Sequence, residues 1–391
     1  MDKTVEALSR LYPDMVRWRR HLHRYPELSY GERQTSAFVA DLLTQWGLDV
    51  RTNVGGYGIV ATVRGGEGPT VALRADMDAL PIQDEKTCEY ASTVPGVMHA
   101  CGHDAHTSAL LAVANVFAAN KGDLRGSVRF LFQPAEEISP GGAAPMIADG
   151  AMDGVDAVYG VHLWTPFPAG TVYSRPGPLM AAADEFVIQI RGKGGHGGLP
   201  HETVDSIVVA SHLVVNLQTI ASRSVDPVEP CVVSVGKLQA GNGFNVIAES
   251  AYLNGTVRSF SVETRDRIVE RMKRICESTG DLFGADIELD YKVGYPPVVN
   301  DAAESERFSR VAGRLFGSER VRQSPLIMAG EDFAYYLHRA PGCFMFVGAG
   351  NAEAGIDAPH HHPKFDIDET SMLQSAALLA SMAEDFLNGG G

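Results

Sequence analysis

The stretch MHACGHDAHT at residues 98–107 sets Cys101 two positions before His103, at the predicted start of a helix. Thiolate and imidazole are preferred ligands of zinc and similar transition metals. Side chains with this chemistry recur in three more segments: QPAEE at 133–137, GVHLW at 160–164 and HHHPKF at 360–365. In an open α/β sheet such segments meet at the carboxyl ends of the strands, where these folds bind their ligands. We therefore expect all four segments to converge on one metal site.

Length and composition limit the classes of protein to consider. A chain of 391 residues exceeds what one hydrophobic core usually serves, so two domains are expected. The net charge of −15 argues against nucleic acid and anionic membranes as partners. The N-terminal segment has the spacing of an amphipathic helix, and no apolar run reaches the roughly 18 residues of a membrane span. The five scattered cysteines favour a reducing compartment, so we expect a cytoplasmic protein.

The order of the predicted elements divides the chain into two domains. Up to about residue 181, helices alternate with near-continuous apolar strands, which is typical of a mainly parallel sheet covered by helices. Residues 182–294 instead predict the order βαββαβ, which is that of ferredoxin-like domains, and proline-containing turns flank them. We therefore predict an α/β domain made of residues 1–181 and 295–391, with an inserted α+β domain at 182–294.

Each metal-binding motif, taken alone, also has a purely structural explanation. Cys101 and His103 could be a buried cysteine beside a capping histidine, and His162 could be a histidine of the core. Glu136 and Glu137 could lie in a solvated acidic loop. However, a loop that directly follows a buried strand seldom carries charged side chains without a partner. Adjacent side chains of an extended chain point in opposite directions, so one carboxylate would bind metal while the other faces a substrate.

Three aspartates are candidates for supporting a metal-binding histidine. Asp76 and Asp78 lie on the same side of a predicted strand end. We expect them to accept a hydrogen bond from such a histidine, because metal ligands usually donate their second N–H to a carboxylate; direct metal binding is the alternative. Asp104 follows His103 and would either support a ligand in the same way or cap the helix. His106, inside the helix, is interpreted as structural.

The inserted domain offers three further candidates. GKGGHGGLPH at 192–201 presents His196 among glycines, where it has little apolar packing, so a functional role and a plain loop are equally supported. The segments FNVIAES and GTVRSF contain Asn245 and Arg258. Arg258 suits a carboxylate, because a planar guanidinium binds one through two parallel hydrogen bonds.

The chain resembles the M20 metallopeptidase family, in its branch of aminoacylases, hippurate hydrolases and indoleacetyl amino acid hydrolases. The motifs span nearly the whole chain: RADMDALP, MHACGHDAHT, QPAEE, GVH, GKGGHGGLPH, NVI, GTVRSF, GEDFAYY and HHHPKFD. The resemblance implies a zinc-exopeptidase-like catalytic domain with an inserted lid that usually forms a homodimer. It implies two divalent ions, for which zinc, manganese, cobalt and nickel are all acceptable. The implied ligands are Cys101, His103, Glu137, His162 and His361, with Glu136 as the general acid and base.

The resemblance also assigns roles to neighbouring and inserted residues. The family's last ligand stands two positions before the proline, which selects His361 over its histidine neighbours, with His362 the nearest competitor. The resemblance implies that His196 enters the active site of the partner subunit and polarises the scissile carbonyl. It implies that Asn245 and Arg258 hold the backbone and the carboxylate of the substrate.

These expectations indicate hydrolysis of a small N-acyl amino acid to a carboxylic acid and a free amino acid. Cleavage by a dipeptidase or carboxypeptidase, and deacetylation of N-acetyl-diaminopimelate, are alternatives with the same machinery. A catalytically silent, metal-dependent binding protein is another, but such a protein needs no base like Glu136 beside the ions. Ala248 stands where the family commonly has proline, and glycines flank His196 where alanines are usual. Both departures bear on specificity more than on chemistry.

Overall fold

The structure, a computed structural model, describes residues 3–389, and the chain forms two compact units. The first unit contains the chain up to Leu179, the segment Val299–Pro325 and the chain from Asp332 onward. The second unit contains Met180–Val298 and Leu326–Glu331. Each unit has a buried apolar core of its own.

The regular elements alternate along the chain as strands and helices. The strands are β1 (Asp49–Val54), β2 (Gly58–Arg64), β3 (Thr70–Asp76), β4 (Ser127–Gln133), β5 (Ala157–Pro168), β6 (Val172–Ser174), β7 (Gly177–Met180), β8 (Ala182–Arg191), β9 (Gly195–His196), β10 (Cys231–Ala240), β11 (Val246–Ile247), β12 (Ser250–Ser259), β13 (Asp286–Tyr295), β14 (Val298–Asn300), β15 (Val321–Gln323) and β16 (Gly342–Gly350). The helices are α1 (Lys3–Arg10), α2 (Tyr12–Arg24), α3 (Arg33–Gln45), α4 (His103–Ala119), α5 (Ala143–Ala148), α6 (Ser206–Thr219), α7 (Val262–Phe283), α8 (Ala302–Phe316), α9 (Ala334–Leu337) and α10 (Thr370–Leu387). Each of these helices lacks the length or the apolar character that crossing a membrane requires.

The first unit is built on one eight-stranded sheet with the order β1-β2-β4-β3-β5-β16-β6-β15. Its central pairs, β4 with β3, β3 with β5 and β5 with β16, are parallel. The pairs β1 with β2, β2 with β4, and β16 with β6 are antiparallel. The prediction of an α/β fold with a mainly parallel sheet is confirmed. The antiparallel β1 and β2 follow from a tight connection, in which Gly55 and Gly56 have positive φ angles of 64° and 100°.

Helix α4 carries the MHACGHDAHT motif into the core of the first unit. It packs against α2, α10 and β3, and nearly all of its residues are buried, because it is apolar on most of its surface. It begins at His103, and its N-cap is Gly102, whose φ of 97° suits a residue without a side chain. Asp104 therefore lies inside the first turn, and the capping alternative for Asp104 was wrong.

The second unit contains a four-stranded antiparallel sheet with the order β10-β12-β8-β13. The elements β8, α6, β10, β12, α7 and β13 follow one another in the predicted order βαββαβ. Alternate residues of β8, such as Phe186 and Ile188, are buried in a core shared with Leu213 of α6 and Met272 of α7. A short antiparallel pair, β9 with β11, was not predicted and carries His196.

Candidate active site

The predicted metal ligands come together in the first unit, around the end of β3 and the start of α4. β3 ends at Asp76, β4 ends shortly before the two glutamates, and α4 begins at His103. His162 lies two residues beyond Gly160, the last residue of β5 that pairs with β3. β5 itself continues to Pro168. Aligned parallel strands bring residues at this edge of the sheet into one region.

Three overlapping groups of metal-binding atoms contain all five predicted ligands together with Glu136. Within each group the ligand atoms lie within 4.8 Å of one another. The groups are Cys101, His103 and His162; Cys101, Glu137 and His361; and His103, Glu136 and Glu137. Because Cys101, His103 and Glu137 each belong to two groups, the six side chains form one continuous cluster.

His103 and Glu137 each hold a buried polar atom without a hydrogen-bond partner. The Nδ1–H of His103 donates to the main-chain oxygen of Asp78 at 2.9 Å, and Oδ1 of Asp78 lies 3.2 Å from the same nitrogen. Nε2 of His103 lies 3.8 Å from Oε1 of Glu137, and both atoms are buried without a hydrogen-bond partner. Burial of such an atom costs about 1–3 kcal/mol. A divalent cation would satisfy both atoms, so these residues fit a metal site.

Cys101 and His162 show the spacing of two ligands of one ion. The Sγ atom of Cys101 lies 3.5 Å from Nε2 of His162, while Nδ1 of His162 donates to the oxygen of Leu163 at 2.7 Å. Ligands with Zn–S and Zn–N bonds of about 2.3 and 2.1 Å lie about 3.5 Å apart in a tetrahedral site. Burial lowers the pKa of His162 well below its usual value, and His106 lowers it further. His162 is therefore neutral, which is the state that binds metal.

Two other members of the cluster hold protons in the metal-free site. Burial raises the pKa of the Cys101 thiol well above its ordinary value, and the charge of Glu137 adds to this effect. Burial alone would lower the pKa of His103, but Asp76 and Asp78 outweigh it and raise that pKa to about 10. Near neutral pH both groups are therefore protonated, and both must release a proton to bind a metal ion.

His361 reaches the cluster from the C-terminal part of the first unit. Its Nε2 lies 3.4 Å from Oε1 of Glu137. Its backbone is left-handed, with a φ of 63°, and its N–H donates to the oxygen of Ala100 at 2.8 Å. The adjacent His362 is exposed, and its Nδ1 accepts the N–H of Lys364 at 3.1 Å. Of these two neighbouring histidines, His361 is therefore the one that belongs to the cluster.

Glu136 and Glu137 approach the same region, contrary to the expectation that they would point in opposite directions. Their carboxylate oxygens lie within 4.8 Å of each other and of a ring nitrogen of His103. The expectation assumed an extended chain, but Ala135 has a φ of 53° and the loop bends at this point. The Glu136 residue is only 7% exposed, so its carboxylate lies in a site that is largely shielded from solvent.

Asp76 and His106 lie beside the cluster and are hydrogen-bonded to each other. Asp76 accepts a hydrogen bond from Arg74 at 2.6 Å through Oδ2 and from Nδ1 of His106 at 2.6 Å through Oδ1. Nε2 of His106 accepts the N–H of Leu163 at 2.9 Å, beside His162. Burial would raise the pKa of Asp76, but His103, Arg74 and His106 hold it well below its usual range. Asp76 and His106 also form a group of possible metal-binding atoms with His103, all within 4.8 Å of one another, so direct metal binding by Asp76 stays an alternative.

Asp78 and Asp104 differ in what they support. Oδ1 of Asp78 lies 3.2 Å from Nδ1 of His103, and its Oδ2 accepts the N–H of Glu137 at 3.0 Å. Asp104 instead accepts hydrogen bonds from Nε of Arg19 at 3.0 Å and Nδ1 of His23 at 2.8 Å. Burial would raise the pKa of Asp104, but Arg19 and His23 hold it well below its usual value. Asp104 thus joins the start of α4 to α2.

Three residues that sequence reasoning did not single out also contact the site. Ser29 donates to Oδ2 of Asp78 at 2.7 Å, and Glu32 accepts the N–H of Ala135 at 2.7 Å. A ring nitrogen of His360 lies 3.7 Å from Sγ of Cys101. Only His360 carried a local signal, its place in the HHHPKF run. The other two lie in a segment whose partners are distant in the sequence.

The three candidates of the inserted segment lie in the second unit. His196 in β9 pairs with Val246, its Nδ1 accepts the N–H of Gly198 at 2.9 Å, and its side chain is exposed. The N–H of Gly197 donates to the oxygen of Asn245 at 2.8 Å, so His196 and Asn245 lie near each other. Arg258 is partly buried in β12.

The guanidinium of Arg258 makes hydrogen bonds within its own unit. Its Nε donates to the oxygen of Met328 at 3.2 Å, and its Nη1 donates to the oxygen of Val257 at 3.1 Å and to the hydroxyl of Thr256. Burial lowers the pKa of Arg258, and Asp184 partly offsets that effect.

Comparison with known proteins gives consistent matches over nearly the whole chain. Residues 72–385 match the profile of peptidase family M20/M25/M40. The N-acetyl-L-cysteine deacetylase of Bacillus subtilis is 42% identical, with 97% of this chain and 90% of that protein covered. The N-acyl-L-amino acid amidohydrolase of Geobacillus stearothermophilus is 47% identical, with 76% and 82% covered. A solved Bacillus subtilis structure, described as a dinuclear metal binding peptidase from the M20 family, is 34% identical with a TM-score of 0.84, covering 97% of this chain and 99% of that one.

Proposed function

The chain belongs to peptidase family M20/M25/M40, and on that basis we propose that it is a metal-dependent amidohydrolase. Its substrates are N-acyl amino acids, which it cleaves to a carboxylic acid and a free amino acid. The names of the similar deacetylase and amidohydrolase support this class of substrate. The observation that carries the proposal is the cluster of thiol, imidazole and carboxylate groups, which consists of overlapping groups of three whose ligand atoms lie within 4.8 Å of one another and which includes the buried carboxylate of Glu136.

The cluster would hold two divalent metal ions. The proposed ligands are Cys101, His103, Glu137, His162 and His361. A mixed set of thiolate, imidazole and carboxylate donors accepts zinc, manganese, cobalt or nickel. The solved Bacillus structure described as dinuclear supports a pair of ions. When bound, two such ions supply Lewis acidity, which lowers the pKa of a water molecule and polarises a carbonyl group.

Glu136 is the proposed general acid and base. Its carboxylate lies in the same group as His103 and Glu137 and is largely shielded from solvent. It would accept the proton of the attacking water and then deliver that proton to the departing amine nitrogen. Glu137 suits this role less well, because its Oε1 already faces ring nitrogens of His103 and His361.

The second unit would bind the amino acid part of the substrate. We assign the α-carboxylate to Arg258, whose guanidinium can form two parallel hydrogen bonds with it. Asn245 would hold the substrate backbone, and His196 would polarise the scissile carbonyl in the partner subunit of a homodimer.

The proposed location is the cytoplasm. All five cysteines are free thiols, which a reducing compartment maintains. The net charge of −15 argues against nucleic acid or an anionic membrane as the partner.

Hydrolysis assays on hippurate and N-acetyl amino acids, with added manganese, zinc, cobalt or nickel, test the proposed function. Metal-dependent release of the free amino acid is the expected result, and the chelated enzyme should be inactive. The Glu136→Gln variant should keep its metal content and lose about 10²–10⁴-fold in turnover, which is what general acid–base catalysis contributes. Near-normal turnover of the Glu136→Gln variant would show that Glu136 is not the general acid and base. Absence of hydrolysis of any N-acyl amino acid by the metal-loaded protein would reject the proposed activity.

A further inference from the structure

His360, the first histidine of the HHHPKF run, lies against the sulfur of Cys101. Its ring stacks on Trp164, with ring centres 4.3 Å apart and planes inclined by 25°. Its Nδ1 lies 3.7 Å from Sγ of Cys101, and its Nε2 accepts the backbone N–H of Thr165 at 3.2 Å. Each ring nitrogen of His360 therefore contacts a different partner, Nδ1 the sulfur of Cys101 and Nε2 the N–H of Thr165.

These two contacts determine where the ring carries its proton. A neutral imidazole has one N–H and one lone pair. The N–H of Thr165 can only donate, so Nε2 must offer the lone pair and Nδ1 must carry the hydrogen. Because Nε2 accepts a hydrogen bond and carries no hydrogen, the ring is in its neutral form. The Nδ1–H consequently points toward Cys101, whose main-chain oxygen also lies near the ring.

We propose that His360 is a positioning residue that donates its Nδ1–H to the sulfur of Cys101, with the amide of Thr165 selecting this tautomer. The proposal rests on the assignment of Cys101 as a metal ligand. A hydrogen bond to a metal thiolate withdraws electron density from the sulfur and fixes its direction, as partners of metal ligands commonly do. The stack on Trp164 holds the imidazole plane in place for this bond.

His360 is not a competing metal ligand in this arrangement. Its Nε2 is occupied by Thr165, and its Nδ1 carries a hydrogen, so neither nitrogen offers a lone pair to an ion. The groups of metal-binding atoms around Cys101 contain His162 and His361 but not His360. In this arrangement His360 donates a hydrogen bond to the sulfur of Cys101, whereas His361 binds the metal ion.

Three substitutions separate the two hydrogen bonds of His360. His360→Asn places an amide N–H near the position of Nδ1 and keeps the donor to sulfur. His360→Gln reaches the position of Nε2 and keeps only the acceptor for Thr165. His360→Phe keeps an aromatic ring on Trp164 and removes both bonds. His362→Asn is the matched control, because His362 is the exposed histidine two positions away that bonds to Lys364.

The readout is the sulfur-to-cobalt charge-transfer band of the cobalt-loaded protein, together with the dissociation constant of the metal. Removing a hydrogen bond from a thiolate raises the energy of its lone pairs, so the band should move to longer wavelength in His360→Phe and His360→Gln. Metal affinity should fall about 10–100-fold in both. His360→Asn and His362→Asn should retain the wild-type band and affinity. Circular dichroism and thermal melting verify that each variant is folded.

Three results would overturn the proposal. An unchanged band in His360→Phe would mean that the ring does not bond to the sulfur, and its N–H would then belong to the main-chain oxygen of Cys101. Loss of a whole metal equivalent in both His360→Phe and His360→Asn would make His360 a ligand. A band that shifts equally in the Asn and Phe variants would exclude the donor role. Wild-type protein that takes up cobalt without any sulfur band would instead reject Cys101 as a ligand, which is a failure of the proposed function.

Discussion

Glu32 accepts the backbone N–H of Ala135 at 2.7 Å, directly before the proposed base Glu136. The same oxygen, Oε1, accepts the N–H of Tyr30 at 3.1 Å, whereas Oε2 is buried without a hydrogen-bond partner. Ala135 has a left-handed backbone, with a φ of 53°, which costs about 1–2 kcal/mol for a residue with a side chain. The bond from Glu32 therefore stabilises the bend that carries Glu136 and Glu137 into the site.

Glu32 should make the stability of the first unit depend on pH. Burial raises the pKa of Glu32 from 4.5 to about 7. The folded state thus binds this proton more tightly than the unfolded state, and stability is lost as pH rises from about 4.5 to about 7. Glu32→Gln removes this penalty, so its free energy of unfolding relative to wild type should rise by about 1–3 kcal/mol between about pH 5 and pH 8.

Denaturant unfolding of the chelated protein, followed by tryptophan fluorescence, measures this difference. The three tryptophans, Trp18, Trp46 and Trp164, all lie in the first unit, so the signal reports on the unit that contains Glu32. The variant Glu67→Gln, at an exposed glutamate, is the control for the loss of one negative charge. A difference between Glu32→Gln and wild type that stays constant over this pH range would contradict the raised pKa.

Metal binding should release protons. In the metal-free site the Cys101 thiol has a raised pKa, and His103 has a pKa of about 10, so both are protonated near neutral pH. Each must lose its proton before it can bind an ion, so metal uptake should release about two protons and affinity should increase with pH. Calorimetric titration with zinc in buffers of different ionisation enthalpy counts the protons. The Cys101→Ser variant should release about one proton fewer.

Asp78 should determine the orientation of His103 and hence the affinity for metal. Asp78 lies against Nδ1 of His103 through its main-chain oxygen and Oδ1, and it also accepts the N–H of Glu137. Asp78→Asn removes the negative charge behind the ring and should weaken metal binding about 10–100-fold, as loss of such partners usually does. Competition with a chromogenic chelator gives the affinity. The exposed Asp49→Asn serves as the control, and equal affinities for the two variants would exclude this role of Asp78.

The sequence predicted the parts of the site that depend on local order. The pattern of apolar strands and helices indicates a parallel sheet, and it contains or is followed by Cys101, His103 and His162. Parallel sheets bring such residues together at one edge. The βαββαβ order of the second unit was likewise visible, because its strands and helices differ in apolar period. In both cases the information lies within a few residues of each element.

The parts that the sequence did not predict depend on packing between distant segments. Glu32 meets Ala135 across a long stretch of chain, and His360 meets Cys101 across a longer one, so no short motif marks either pair. The bend at Ala135 reversed the expected directions of the two glutamates, since alternation holds only for an extended chain. Such contacts are fixed by the tertiary fold, which then determines the tautomers of the histidines.

His196 should act across a subunit interface if the second unit forms the proposed homodimer. Two inactive variants, His196→Ala and Glu136→Gln, then complement each other in a mixed dimer, because one of its two sites has both an intact His196 and an intact Glu136. An equimolar mixture with free subunit exchange should recover about a quarter of wild-type activity, since half of the dimers are mixed and each has one working site. Mixing is verified by mass spectrometry of isotope-labelled subunits. If mixed dimers form and activity does not return, His196 works within its own chain or not at all.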